Sequence, residues 1–248
     1  MLLKLIACNV FMREACYCVS QTPHLIDVEF TELGEHVYSS ALRETLQAKI
    51  DAADAVGRYE AILLLFGLCG NAVVGLRAGR TKLVLPRAHD CCTILLGSTR
   101  RFRENFEDNP SRPFSSVGYL ERGDYFLRTQ DEGTEIVYGD GFAELLAQYG
   151  EEDAKYIWET MHPEPPQSND RRAVFIDLPQ TAHLGAADQF RRKAEAEGRE
   201  YVRLEGDMRL IQGLIDARWN PEDYLVVNPG ETIAGVYDWT EIVRSERR

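Results

Sequence analysis

A chain of 248 residues with 40 acidic and 28 basic side chains, a formal net charge of −12, can bury a real core as one large domain or two small ones. It lacks the dense basic face that nucleic-acid phosphate demands. Its 44% hydrophobic residues are ordinary for a globular protein, and no apolar run approaches the roughly 20 residues of a bilayer-spanning helix.

The first apolar run, Leu2 to Ala7, has strand length and feeds a loop holding Cys8, Glu14, Cys16 and Cys18. Leu5-Ile6-Ala7-Cys8 is like a lipoprotein processing box, yet a signal needs a basic start and ~7–15 apolar residues. Lys4 interrupts the short stretch before Cys8, so a cytoplasmic protein is expected. Cys16-Tyr-Cys18 lacks the C-x-x-C spacing of structural zinc and reads as a pair of incidental thiols. Ile26 to Phe30 is a second extended piece, followed by Thr31-Glu-Leu-Gly34-Glu-His36. Ser39 or Ser40 caps a helix whose apolar positions Leu42, Leu46, Ile50 and Ala53 recur at helical spacing until Gly57. Ala61 to Leu65 is a strand buried on both faces, as parallel strands are. Asn71 to Gly79 predicts a short helix stopped by glycine, and Lys82 to Leu85 a strand broken by Pro86. Asp90 caps a helix from Cys92 through Phe106, with Ile94, Leu95 and Phe102 along one side, and Asn109 to Pro113 ends that unit.

Phe114 to Gly141 reads as a hairpin or an excursion over a site; Asp140 caps an amphipathic helix over Phe142 to Trp158, and Pro163 to Asp170 has a linker's composition. Then the rhythm resumes with strand Ala173 to Leu178, helix Ala186 to Glu197, strand Tyr201 to Leu204, helix Met208 to Ala217 and strand Tyr224 to Val227. This alternation predicts an α/β fold: an open, mostly parallel Rossmann-like sheet or sheets flanked by helices. Two lobes around a cleft fit it, an N-terminal α/β lobe over 1–165 carrying the site and a C-terminal α/β portion over 166–248 packing on it, or both as one continuous domain. Short basic clusters at Arg100-Arg101, Arg171-Arg172 and Arg244 to Arg248 read as solvated surface.

Six cysteines are too few for a disulfide-dense secreted scaffold and read as reduced thiols. Three of them end apolar runs. Cys8 follows the first, Cys69 closes Leu63-Leu-Leu-Phe-Gly-Leu-Cys69-Gly-Asn71, and Cys91 closes Leu83-Val-Leu-Pro-Arg87-Ala-His89-Asp90-Cys91. Parallel strands deliver chemical groups to the crevice at their carboxyl ends, so these three are expected to converge as metal ligands. Such a fold-assembled site can leave a coordination position open for catalysis. Cys91 stands at a helix start that favours thiolate, while Cys92 is expected to pack. Gly67, Gly70 and Gly75 let backbone approach the crevice and, with Asn71 as a cap or a donor, make a candidate cofactor-binding set. Arg87 is a candidate anchor for a substrate carboxylate or phosphate, and His89 a metal ligand or proton carrier. Asp90 supplies a carboxylate beside them.

Ile-Ala-Cys8, Gly34-x-His36, Gly67-Leu-Cys69-Gly-Asn71 with Gly75, Pro86-Arg-x-His89-Asp-Cys91, Leu96-Gly-Ser98 and Val226-Val-x-Pro229-Gly230 together resemble an uncharacterised prokaryotic family. It is the domain of unknown function numbered sixteen thirty-eight. The resemblance covers nearly the whole chain, and Pro-Arg-x-His-Asp-Cys is its most specific part. It implies that Cys8, Cys69 and Cys91 are the family's cysteines, and it implies a setting in anaerobic one-carbon metabolism beside corrinoid-dependent methyl transfer, with a corrinoid protein as partner. Ala72, where a second glycine is commoner, and Asn9 after Cys8 depart from the family pattern.

Three readings follow. The first is a metalloenzyme of transferase or lyase type, in which Cys8, Cys69 and Cys91 hold zinc or an open [4Fe–4S] cluster and Arg87 anchors a small anionic substrate. His89 then completes a Cys₃His tetrahedron or acts beside an open position. The second is a non-enzymatic accessory protein that binds metal, corrinoid or a small molecule. The third is a metal-free enzyme with Cys91 as nucleophile and His89 as base.

Overall fold

The computed structural model describes residues 1–32, 39–110, 112–122, 171–236, 238 and 241–247. Expectations for Gly34 to His36, for 123–141, for the helix begun at Asp140 and for the Pro163 to Asp170 linker with its lobe boundary lie outside the described residues.

In chain order the elements are β1 (Leu2–Cys8), α1 (Met12–Gln21), β2 (Leu25–Thr31), α2 (Ser39–Val56), β3 (Ala61–Leu65) and β4 (Leu83–Pro86). There follow α3 (Cys91–Leu96), α4 (Thr99–Phe106), β5 (Phe114–Ser115), α5 (Val117–Arg122) and β6 (Arg172–Asp177). Last come α6 (Ala186–Ala196), β7 (Glu200–Glu205), α7 (Arg209–Ile215), β8 (Tyr224–Val227), β9 (Glu231–Gly235) and β10 (Val243–Arg247). Strands β1 to β4 pair in parallel and β8 joins β4 antiparallel, giving the order β2-β1-β3-β4-β8. A second, parallel sheet runs β5-β6-β7, and β9 and β10 form an antiparallel pair. The fold is thus the expected α/β class.

The alternation of strand side chains divides the interior. On one face of the main sheet, Leu3, Leu5, Ala7, Leu63, Leu65 and Val84 pack with α1, α3, α4, α7 and the inward side chains Val174 and Ile176 of β6. On the other face, Ile6, Ile62, Leu64, Leu83 and Leu85 pack with α2, with Ala72, Val73 and Leu76, and with Ile233 and Val243 of the C-terminal pair. Phe175, on the far side of β6, meets Phe190 of α6 in a third cluster. Each fully buried Leu or Ile contributes about 1.5–3 kcal/mol relative to exposure. No helix among the described residues is long and apolar enough to cross a membrane.

Four local expectations are corrected. The stretch after Cys8 is a 3-10 turn, Asn9–Phe11, running into α1 rather than a loop. Its inward residues Glu14, Ala15 and Cys18 have helical spacing. The helix expected over 92–106 is two helices, because Gly97 adopts φ 77° and Ser98 recaps the chain by accepting from the Arg101 amide. Residues 71–79 form turns and an extended piece instead of a helix. The Gly75 amide donates to the Ile233 carbonyl at 2.8 Å and the Ala78 amide to the Glu231 carbonyl at 3.0 Å, so β9 draws this segment straight. Finally, the chain continues past β8 into β9 and β10.

At the β2 edge, Asp27 accepts from Arg58 and Tyr59, each at 2.7 Å, and Glu29 pairs with Lys4 and Lys49, each at 2.7 Å.

Candidate functional site

The strand order places a reversal between β1 and β3. From β1 the chain turns to the face holding α1, and from β3 to the opposite face, where Ala72, Val73 and Leu76 lie. Such divergence opens a crevice at the carboxyl ends of the two strands, the usual ligand position in open α/β sheets. Cys8 is the last residue of β1, Cys69 follows β3, and Cys91 opens α3 after β4.

Backbone geometry brings the last two close. The Leu68 amide donates to the Ala88 carbonyl at 2.8 Å, and the Cys69 amide to the His89 carbonyl at 3.0 Å. A Cβ at Gly67 would lie 2.7 Å from both Cα and N of Asp90, so only glycine lets the two loops touch. Cys69, Gly70 and Asn71 then adopt φ 47°, 64° and 67° in succession. Two of these residues are not glycine, and left-handed backbone of this kind persists where the surroundings impose it, commonly at functional sites.

The thiols feel one another. Burial, the Asp90 carboxylate and Cys8 push the Cys69 thiol well above its ordinary range. Burial, Asp90, Cys69 and Cys8 do the same to Cys91, against a hydrogen bond to the Tyr119 hydroxyl that favours its thiolate. That contact is 2.7 Å between Cys91 Sγ and Tyr119 Oη. Tyr119 is itself pushed up by burial and by Cys91. The helix that carries it is seated by Gly118, where a Cβ would stand 1.8 Å from the Val10 carbonyl oxygen in the turn after Cys8. Sequence reading missed Tyr119, whose only signal was a Gly-Tyr step in an unassigned aromatic stretch.

Asp90 caps α3, accepting from the Thr93 amide at 2.9 Å and the Thr93 hydroxyl at 3.0 Å, and burial raises its pKa. Burial also lowers the pKa of His89, whose electrostatic partners are Asp90 and Asp238 and whose ring lies 6.0 Å from that of Phe102. Arg87 donates to the main-chain carbonyls of Pro221 at 2.9 Å, Glu241 at 2.8 Å and Val243. Its guanidinium therefore ties the end of β4 to the C-terminal segment. Gly70 belongs to the left-handed turn, and Gly75, with φ 89°, bonds β9. Asn71 caps no helix; its carbonyl accepts from Arg43 at 3.0 Å. Cys92 and Cys18 are buried in the apolar core, and Cys16 is exposed.

Glu14 is a second feature unread in the sequence. It is 2% exposed, neither carboxylate oxygen has a partner among the described residues, and burial raises its pKa to about 7.

As placed, no group of three or more His, Cys, Asp or Glu among the described residues could hold a metal ion. The donor chemistry fits a soft metal, since the thiols of Cys8, Cys69 and Cys91 lie at or after the ends of β1, β3 and β4.

Residues 30–215 match a family model described as a protein of unknown function, DUF1638. Cys69, Cys91 and Tyr119 fall within the match and Cys8 precedes it. No curated protein and no solved structure matches the chain.

Proposed function

The chain belongs to the DUF1638 family, and on that premise we propose that it is a metal-dependent protein in which Cys8, Cys69 and Cys91 hold zinc or a [4Fe–4S] cluster that acts on a small molecule. One observation carries this reading. Three thiols stand in mutual electrostatic reach at the topological switch of a parallel sheet, beside the half-buried Asp90, and burial pushes the Cys69 and Cys91 thiols up. A metal-free nucleophile needs the opposite environment, one that lowers the thiol pKa. A cation at the crevice offsets both the thiolates and Asp90.

When bound, zinc supplies Lewis acidity and an activated thiolate, and a three-cysteine cluster supplies an iron with a free position. The chain's own residues do the remainder. The left-handed turn at Cys69 fixes one donor, and the Gly67 contact with Asp90 sets its separation from Cys91. The Tyr119 hydroxyl orients the Cys91 side chain.

The test is anaerobic purification with metal analysis and an absorption spectrum, on the wild type and on Cys8→Ser, Cys69→Ser and Cys91→Ser, with Cys16→Ser as control. Expected is one zinc per chain, or iron and sulfide with a brown spectrum, lost in the three variants and retained in the control. A wild type that stays metal-free after reconstitution with zinc and with iron and sulfide overturns the proposal. Metal retention without turnover of any candidate substrate assigns the centre to an accessory binding protein.

A further inference from the structure

Hydroxyls and amide oxygens without partners occur in the segments that adjoin Cys8, Cys69 and Tyr119. Asn9 Oδ1, Thr31 Oγ1, Asn71 Oδ1 and Ser116 Oγ are buried with no hydrogen-bond partner among the described residues. Three of the four side chains are more than nine-tenths buried: Asn9 is 7% exposed, Thr31 3% and Ser116 1%. Folded proteins pair nearly all such groups, so a cluster of exceptions needs a cause.

Their positions share one neighbourhood. Thr31 lies directly beside Cys8 in the β1–β2 register, and Asn9 follows Cys8. Asn71 closes the left-handed turn that begins at Cys69. Ser116 immediately precedes α5, with its carbonyl accepting from the Leu120 amide, three residues before Tyr119. Its hydroxyl stands where a helix cap ordinarily bonds the first turn, yet it makes no such bond.

We infer that this polar ring is the subsite for the molecule acted on at the thiol centre, and that the molecule is uncharged and carries hydroxyl or amide groups. The inference rests on the metal reading for its chemistry but not for its binding. Asn9 gives its amide hydrogen to Glu32 at 3.2 Å, leaving its oxygen to accept. Asn71 likewise offers an acceptor, and the hydroxyls of Thr31 and Ser116 both donate and accept. Such a set complements N–H and O–H donors. An anion here would meet acceptor oxygens and the half-buried Asp90, while the Arg87 guanidinium is held by three main-chain carbonyls. The expected carboxylate or phosphate substrate thus gives way to a neutral one.

The experiment uses the full chain purified without oxygen, with saturation-transfer NMR against acetamide, glycerol, acetate and methyl phosphate at equal concentration. Acetamide and glycerol are expected to bind, and Thr31→Val and Ser116→Ala to weaken them at least tenfold while circular dichroism and metal content stay unchanged. Acetate or methyl phosphate binding that the same variants abolish would overturn the inference in favour of an anion. It also fails if no probe binds or if the variants leave binding unchanged, and the groups then hold water only. Metal content measured on the same sample separates the two claims. Metal without probe binding sinks this inference alone, and probe binding to a metal-free chain sinks the metal reading alone.

Discussion

A methyl group added at position 67 would press on the Asp90 backbone at 2.7 Å, where flexible side chains cannot give way. Gly67→Ala is expected to separate the loops bearing Cys69 and Cys91, to destabilise the protein by about 1–3 kcal/mol and to weaken metal retention. Urea denaturation and competition with a chelator would register both effects. Glu14 makes a prediction of a different kind. Its carboxyl has a pKa of about 7 in the folded chain against an ordinary 4.5, so between those values the folded state binds more protons than the unfolded one. Stability therefore falls as pH rises through that window. Glu14→Gln should flatten the profile and gain about 1–3 kcal/mol over wild type near pH ~8. Equal denaturation midpoints for the two proteins at acid and alkaline pH would contradict this.

Among the elements, the C-terminal β9–β10 pair is held partly by one side chain from another part of the fold. Arg87→Ala removes the bonds to the Pro221, Glu241 and Val243 carbonyls, at a cost of about 1.5–3 kcal/mol for hydrogen bonds to a charged group. Hydrogen exchange should quicken at 241–247 while metal content is unchanged; a loss of substrate binding with normal exchange would return Arg87 to an anchoring role. Strands β1, β3, β4 and β8 were legible because their apolar runs are continuous and end at polar residues. Helix α1 was not, since Glu14, Cys16 and Cys18 read as a loop with incidental thiols although Ala15 and Cys18 face the core and Cys16 faces solvent. The straight course of 71–79 depends on β9, far along the chain, and no local pattern carries that pairing. Strand β10 is mostly charged, Val-Arg-Ser-Glu-Arg, with Val243 as its one buried residue, so it gave no periodic signal. The three thiols at strand ends were legible for the reason β1 and β3 were; Tyr119 arrives from outside that pattern.

Across the whole molecule, one core cluster joins β1 and β3 to β6 and α7, and residues on both sides of position 165 should unfold together. Metal binding to that unit is expected to raise its melting temperature. At a free metal concentration about a hundredfold above Kd the gain is about 2.7 kcal/mol, or roughly 5–10 °C for a chain of this size. Cys69→Ser should show no such rise in a thermal scan. The main sheet ends at β2, which has no strand beyond it among the described residues. An unpaired strand edge is a template on which another chain can add itself. Hydrogen bonds from Tyr59 and Lys4 hold Asp27 and Glu29 below the usual carboxylate range, so both stay ionised well into acid solution. A strand docking there would have to strip water from these ion pairs, a cost that their attraction seldom recovers. The edge is thereby guarded against fibre growth across the pH range in which the protein stays folded.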